Sequence, residues 1–388
     1  MNFRDFNIYL QYVKNETVRD AVYSIEFLDR EDEQPKSIIT QKVINNSCNY
    51  NISFNNGVRR TCSFDLVNNN NELTATFSTL SLGNKFKLKV GYRINNKDYL
   101  FPAGVYTFND PTLLSNLSNK TISLSGVDKW SLLDGTVSGG LEATYNAQKG
   151  SKLGEVIKDT LALNIVNDSI QPYIDETIYN FELTYDIVKE VGSYAADILL
   201  DVALNANANI FYDAEGRLNV IPMEYDADKA SIFDFRNDRI NYIDGSKLFP
   251  NSEIYNYVFV VADNLQNELA PIMAYAENNN PTDPNSIINL GIRKVKQITD
   301  YVKGIDTQAK AQERVNYELK LATAMQSAVT FNSLAIPHLD VNQVITITDP
   351  YLASDNERFL IMGLQYNVGS DFTMSVNATK AKEYLERV

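Results

Sequence analysis

The chain of 388 residues contains little of what catalysis and metal binding use. It has one tryptophan, one histidine, His338, and two cysteines, Cys48 and Cys62. A single histidine excludes a zinc site built on two or three imidazoles, and two cysteines without CxxC spacing make neither a thiolate metal site nor a disulfide framework. We therefore expect both cysteines to be reduced residues of the core, where free cysteine is commonly found.

Targeting segments and nucleotide-binding motifs are missing as well. No apolar run approaches the roughly 18 to 20 residues that cross a bilayer, and the N-terminus has no apolar stretch of the secretory type. We expect a protein without a membrane span that is made and folded in a cytoplasm. GxGxxG, GxxxxGK[ST] and GxSxG do not occur. The sequence thus predicts no enzyme, and no catalytic, cofactor-binding or metal-ligating residue.

Four local features could indicate a functional site, but for each of them a purely structural role is the better expectation. His338 follows a proline with no nucleophile nearby, so a structural or solvent-exposed role is expected. Asp213–Gly216 resembles a calcium loop, but its glycine is the fourth residue instead of the sixth, which favours a β-turn. Arg59–Arg60 could bind an anion or lie in a ladder beside a turn, and the latter is preferred. The acidic run Asp29–Glu33 is expected to be a solvated loop.

The charge balance excludes a further class of partner. The formal net charge is -14, from 35 basic and 49 acidic residues. A surface that grips nucleic acid or an anionic membrane would need clusters of Lys and Arg. Because the chain has so many carboxylates, a pair of Asp or Glu residues of the kind that glycosidases use could be proposed at many places, so such a pair is weak evidence for hydrolysis. The 44% hydrophobic and 22% charged residues are ordinary for a globular protein, and the length suits two or three domains.

The first 135 residues read as an antiparallel β-barrel or sandwich. Aromatic, Thr- and Val-rich segments broken by Asn clusters indicate a mainly β chain. The clearest strand is Phe86–Ile94, where apolar residues alternate with Lys, Gly and Arg at the period of two that a half-buried strand requires. We assign residues 1–135 to an N-terminal β-barrel domain.

The pattern changes after residue 135 and returns to β near the end. Residues 136–245 form an α+β middle domain, with a helix predicted over Ile187–Val202 by an apolar stripe at 3.6 spacing and a hairpin over Ala208–Pro222. Residues 246–388 form a C-terminal β-barrel domain with one helix at about 306–326. The predicted fold is therefore mainly β, with two small antiparallel barrels around a helix-containing α+β insert.

Three segments taken in order resemble the baseplate hub proteins of phage tails. They are "NNGVRRTCSFDLVN" (Asn55–Asn68), "ANIFYDAEGRLNVIP" (Ala208–Pro222) and the C-terminal "IPHLDVNQVITITDP" followed by "RFLIMGLQYNVGSDFTMSVNATK". The last is similar to a family pattern P-x-L-x-x-x-x-V-x-V-x-D, although the aspartate comes one residue late. The matching positions are Pro337, Leu339, Val344, Thr346 or Ile347, and Asp349. The family includes the late control protein D group, contractile-tail hubs and the N-terminal part of siphophage tail-associated proteins.

The resemblance implies a structural virion protein at the tail tip or baseplate, assembled in the host bacterial cytoplasm. It implies a homotrimer whose subunits each supply two tail-tube-like barrels, so that three chains form a pseudo-sixfold ring. Such a ring would join the tail tube or distal tail protein ring to a central spike or fibre protein. It would hold the tape measure protein and let DNA pass during ejection. From the net charge we expect an acidic lumen that repels DNA phosphates.

Two alternatives remain open at this point. A tail-tip peptidoglycan hydrolase would need a deep cleft with two facing carboxylates or a metal. A carbohydrate-binding adhesin would need exposed Tyr or Trp side chains in a groove. The 23 tyrosines would suit sugar stacking, but most aromatic residues alternate within predicted strands, where core or interface positions are the better expectation.

Overall fold

We analysed a computed structural model of the full chain. The described residues are 2–29, 32–69, 71, 83–116, 120–166, 168, 170–206, 208–222, 229–239, 241–248, 254–262, 271–299, 305, 307–324 and 327–381. Every structural statement below refers to these residues. None of their helices is long and apolar enough to cross a membrane.

Helices and strands are numbered along the chain. The helices are α1 (Phe3–Asn15), α2 (Leu153–Leu161), α3 (Glu176–Tyr179), α4 (Ala195–Asn205), α5 (Ile287–Leu290) and α6 (Gln308–Ala324). The strands of the first third are β1 (Asp20–Leu28), β2 (Pro35–Ile39), β3 (Cys48–Ser53), β4 (Arg60–Val67), β5 (Lys85–Ile94), β6 (Lys97–Ser115) and β7 (Lys120–Asp128). The central strands are β8 (Tyr145–Ala147), β9 (Tyr173–Ile174), β10 (Ile187–Lys189), β11 (Ala208–Tyr212), β12 (Leu218–Pro222), β13 (Ser231–Arg236) and β14 (Tyr242–Leu248). The last are β15 (Tyr257–Ala262), β16 (Ile272–Glu277), β17 (Val295–Ile298), β18 (Ala328–Leu334), β19 (Val344–Asp349), β20 (Ser354–Val368) and β21 (Thr373–Lys380).

The strand predicted from the strictest alternation is confirmed as β5. Phe86, Leu88 and Val90 are fully buried on one face, as the period of two requires. The hairpin to β6 turns at Asn95–Asn96, where both residues have positive φ and Ile94 pairs with Lys97. Two-residue turns of this handedness match the twist of the strands, and asparagine tolerates the conformation well.

One large sheet contains strands from both ends of the chain. Its order is β14-β18-β21-β20-β3-β4-β7-β6-β5-β1-β2, and β19 pairs with both β20 and β13. The seam between the two ends is β3 with β20, paired antiparallel from Gly363–Ser53 to Val368–Cys48. No sheet of the described residues closes into a barrel, so the two separate barrels expected from the sequence are not confirmed, whereas the mainly β character is.

The two ends also share a hydrophobic core. Tyr50 of β3 and Tyr366 of β20 are register partners whose rings stack at 4.3 Å between centroids and 7° between planes. Helix α1 adds Tyr9 and Val13 to the same core, both fully buried. We call this large sheet together with α1 the body.

A second core belongs to the residues between Lys129 and Pro222, which we call the middle unit. It packs α2 and α4 against β11 and β12, with Ile198 and Leu199 fully buried. The predicted helix over Ile187–Val202 is wrong in its first half, since Ile187 begins strand β10 and α4 starts at Ala195. The physical reason is a turn at Gly192, with φ of +88°, after which the Tyr194 N–H donates to the Asp197 carboxylate in the first turn of α4.

A third core lies between β14 and β18 of the body, in a region that we call the helical insert. Strands β15, β16 and β17 form their own sheet, and α6 covers it through Ala311 and Val315. The helix predicted at about 306–326 is thus found as Gln308–Ala324, with 306, 325 and 326 outside the described residues. Strands β13 and β14, inside the predicted middle domain, pair with strands of the body. The domain division at 135 and 245 stays a prediction.

Candidate assembly surfaces

The only histidine is a half-buried structural group. His338 Nδ1 lies 3.0 Å from the Tyr9 hydroxyl, and the edge-on rings of Phe6 and Tyr9 are each 5.4 Å away between centroids. Burial lowers the pKa of His338 from 6.5 to about 4, with a smaller contribution from the positive charge of Lys14. The neutral imidazole therefore fastens α1 to the segment between β18 and β19, and its contacts among the described residues are the aromatic side chains of Phe6, Tyr9, Phe101 and Phe233.

The Asp-x-x-Gly segment forms a turn whose carboxylate is already used. Asp213 Oδ1 accepts from the backbone N–H groups of Glu215 and Arg217, both at 2.9 Å, and Oδ2 accepts from Asn219 at 2.9 Å. Gly216 has a φ of +80°, the conformation that favours glycine. The segment is the turn between β11 and β12, as expected, and leaves neither oxygen of Asp213 without a partner.

The two arginines of β4 and its preceding turn are interior. Arg59 stacks on Phe211 of the middle unit at 3.4 Å from the ring centroid. Arg60 is 1% exposed and forms an ion pair of 2.5 Å with Asp340. Their backbone N–H groups both donate to Asp128 at 2.8 Å. Desolvation raises the pKa of Asp128 from 3.8 to about 6, and these backbone donors oppose that rise.

The cysteines agree with their predicted place, and the acidic run agrees with it only in part, since Asp32 is exposed and Glu33 is not. Cys48 and Cys62 are free and buried, and burial raises the pKa of Cys48 to about 12, which leaves an unreactive thiol. Glu33, expected in a solvated loop, is 8% exposed and paired with Lys85 and Lys129. The solvated interpretation is wrong for Glu33 because its carboxylate enters an ion-pair cluster; residues 30 and 31 lie outside the described residues.

Buried charges join the body to the middle unit. Lys129 Nζ lies 2.9 Å from Glu33 Oε1 and 2.5 Å from Asp168 Oδ1, and it donates to the Gly216 carbonyl at 3.0 Å. Lys85 pairs with Glu33 at 2.5 Å, and the Tyr212 hydroxyl donates to Asp168 at 2.7 Å. Both lysine side chains are 0% exposed and both carboxylate side chains 3%. The two positive and two negative charges balance, which is what makes such burial tolerable.

This ionic junction is a positioning device and not a catalytic group. Its members come from the β1–β2 hairpin, β5, the turn after β7, the segment after α2 and β11, so it fixes five chain segments at one point. Sequence reasoning missed it. The available signal was Lys129, a lysine directly before the mostly apolar stretch from Trp130 to Leu133. In the part of the chain that the structure describes, no three His, Cys, Asp or Glu side chains could hold a metal ion.

The ends of the large sheet present unpaired strand edges. Among the described residues β2 pairs only with β1 and β14 only with β18. These edge strands also expose apolar side chains: Ile38 is 56% exposed, Ile243 52% and Leu248 64%. A free edge with apolar side chains is a template for pairing with another chain.

One edge of the smaller sheet in the helical insert is covered by a helix. The Gln308 side chain donates to the Met273 carbonyl at 2.8 Å, and that of Gln312 donates to the Tyr275 carbonyl at 3.0 Å. Helix α6 thereby covers the edge strand β16. Helix α6 thus shields the edge of β16, whereas no described strand pairs with the outer edges of β2 and β14, so we treat these two edges as candidate assembly surfaces.

Comparison with known proteins supports the tail resemblance at the level of the fold. A tail protein from Neisseria meningitidis MC58 superimposes with a TM-score of 0.64 over 93% of this chain and 97% of its own, at 12% identity. The 43 kDa tail protein of prophage MuSo2 from Shewanella oneidensis gives 0.60, with 92% and 98% covered, at 12% identity. Prophage tail protein gp18 from Listeria monocytogenes EGD-e gives 0.56, with 94% and 95% covered, also at 12%.

Comparisons of sequence give less information than these comparisons of structure. Residues 283–384 match a family described as a domain of unknown function, DUF5048. No curated protein sequence matches the chain. The chain therefore has the fold of phage and prophage tail proteins over nearly its whole length.

Proposed function

We propose that this protein is a structural component of a phage tail or tail-like particle, the baseplate hub or tail-tip adaptor. The observation that carries the proposal is the likeness to tail proteins over more than nine-tenths of both chains. A structural role also suits side chains that are used internally. His338, Asp213 and Arg60 each contact groups of the same chain.

The assembly that we propose is a homotrimeric ring. Strands β1–β7 form one half of each body, and β13, β14 and β18–β21 form the other. In the proposed ring, each half is one tube-like unit, so that three chains would supply six. The edge of β2 in one chain joins the edge of β14 in the next. Such a contact uses two different surfaces of the same chain, and it closes into a ring when the rotation between neighbours is a third of a turn.

The partners follow from the position of such a ring. It would join the tail tube, or a distal tail protein ring, to a central spike or fibre protein, and the tape measure protein would end at it. Duplex DNA would meet the protein only in transit. Peptidoglycan hydrolysis and carbohydrate binding are the outcomes that would replace this assignment.

Labelling of native particles tests the assignment. Tails would be purified from cells that encode the chain and decorated with gold-labelled antibody against it. We expect one cluster of gold at the distal end of each tail. Particles without the chain would contradict the proposal, and cleavage of purified peptidoglycan by the isolated chain would favour the hydrolase instead.

A further inference from the structure

On the outer face of the large sheet, rows of polar and uncharged side chains run over six adjacent strands, β18, β21, β20, β3, β4 and β7. Residues that alternate with the buried ones form cross-strand rows that the pairing register defines. The first row is Asn332, Ser375, Gln365, Asn51 and Thr61. The second row is Thr373, Asn367, Asn49, Ser63 and Ser125. All ten side chains are hydroxyls or amides, and we call them the neutral face.

The neutral face is bordered by apolar residues, Val127 opposite Thr61 and Leu334 opposite Thr373, and by charged ones. Acidic side chains adjoin it at two places, Asp244 opposite Asn332 and Asp65 on β4. Farther along the same face, β5 presents Lys85, Lys87 and Lys89, which pair with carboxylates of the β1–β2 region and the middle unit. Glu215 of the middle unit thus reaches the charged part of the sheet, whereas Gln365, Asn51 and Ser63 of the neutral face are exposed in the part of the chain that the structure describes.

The chemistry of the neutral face argues against a tight partner. Sequence-independent binding of DNA depends on Lys and Arg contacts to phosphates, and these rows contain none. Stable protein interfaces bury aromatic and apolar anchors at their centres, and these rows contain none of those either. Hydroxyl and amide groups bind water well, so the face stays hydrated when a polymer moves past it.

We propose that the neutral face lines the passage and faces duplex DNA in transit, a role that rests on the ring function proposed above. It replaces the expected acidic lumen with an uncharged one, since the net charge of -14 does not reside in these rows. Passage would then be smooth because phosphates meet no cation that retains them, and repulsion is not required.

Charge substitutions within native particles test whether the neutral face lines the passage for DNA. Gln365→Lys with Ser63→Lys adds two positive charges per chain at exposed positions of the face. Gln365→Glu with Ser63→Glu adds two negative charges at the same positions. Thr136→Lys with Asn316→Lys adds two lysines at exposed positions on the middle unit and helical insert. Each variant is introduced into the particle, tails are counted by electron microscopy, and DNA delivery per assembled particle is measured.

We expect the lysine pair on the face to assemble normally and to reduce DNA delivery per particle by about tenfold or more, because cations retain phosphates. The glutamate pair and the distant lysine pair should deliver within about twofold of the unmodified chain, since neither adds a cation to the face. Normal delivery by the lysine variant overturns the inference. Failed assembly of both face variants, with a normal distant variant, also overturns it and assigns the face to a protein contact. Tails that lack the chain altogether refute the ring function instead.

Discussion

The body is held to itself and to the middle unit by two different kinds of contact. Where β3 meets β20, the seam is a backbone ladder of six residue pairs under the stacked rings of Tyr50 and Tyr366. Where the body meets the middle unit, four buried charges centred on Lys129 carry the contact. The first is apolar and has no ionisable group that changes charge near neutral pH. The second depends on every one of its charges having a partner.

The difference indicates separate mechanical roles. Apolar burial and a continuous backbone ladder join the two ends of the chain into one rigid sheet, as a ring subunit requires. A buried ion-pair cluster adds little net stability relative to apolar packing, but it fixes the arrangement of its members because any other placement leaves a charge unpaired. We therefore expect damage at the seam to unfold the body and damage at the ionic junction to release the middle unit.

Removal of the central charge should have the largest effect. Lys129→Met leaves Glu33 and Asp168 without their shared partner, and we expect a loss of about 3–5 kcal/mol, as for other broken buried pairs. Hydrogen exchange should quicken in α4 and β11 before it quickens in β5. Lys149→Met, at an exposed lysine, is the matched control. Equal quickening in the body and the middle unit would remove the distinction between the two junctions.

Truncation at the seam should cost somewhat less and act globally. Tyr366→Leu removes the ring stacked on Tyr50 and the hydroxyl that donates to the Ile336 carbonyl at 3.1 Å. We expect a loss of about 3 kcal/mol in the free energy of unfolding by denaturant. Tyr351→Leu, at a tyrosine 92% exposed, should change it little. Selective release of the middle unit by Tyr366→Leu would show that the seam and the junction are not separate.

Acid should weaken the body through His338 and not through the seam. The pKa of this imidazole is about 4 in the fold and 6.5 in the unfolded chain, so the unfolded chain binds the extra proton between these values. The stabilisation is present above pH 6.5 and is lost as the pH falls towards 4, and between pH 7 and 5 the loss is about 2 kcal/mol. His338→Gln should remove that loss in denaturant titrations at the two pH values.

A second group acts in the opposite direction over the same range. The pKa of Asp128 is raised from 3.8 to about 6, so the folded chain binds its proton first, and acidification towards pH 4 favours folding through this group. The unmodified chain should therefore show a smaller net change than His338 alone produces. If His338→Gln leaves the pH dependence unchanged, the imidazole does not control it.

The smallest expected effect is at Arg59, a second contact between the body and β11 of the middle unit. Arg59→Lys keeps the charge but loses the planar guanidinium that stacks on Phe211. We expect a loss of about 1 kcal/mol, confined to opening of the middle unit. The measurement is hydrogen exchange in β11 compared with β5, and a loss as large as that for Lys129→Met would assign the junction to stacking.

Local patterns predicted local structure well in this chain. The alternation of Phe86–Ile94 correctly predicted β5, and the residues Asp213–Gly216 predicted the turn between β11 and β12. The apolar spacing near 306–326 predicted α6. The seam was not predictable, because β3 and β20 are separated by more than half of the chain and no local pattern encodes their register.

The buried charges of the ionic junction could not be predicted from the sequence for a related reason. Glu33 belongs to an acidic run, and Lys85 precedes an alternating strand, so each looks solvated when considered alone. Burial follows only from their meeting with Lys129 and Asp168, which is a property of the tertiary arrangement. The neutral face was hidden likewise, since its rows exist only across strands that are far apart in sequence.

The mass of the full chain in solution tests the ring most directly. Light scattering at several concentrations should give three times 43.8 kDa for the unmodified chain. Ile243→Asp, which places a charge on the open edge of β14, should reduce the mass to that of one chain, whereas Val191→Asp, at an exposed position of the middle unit, should not. A single-chain mass for the unmodified protein at every concentration, or a trimer that Ile243→Asp leaves intact, would contradict assembly through these edges.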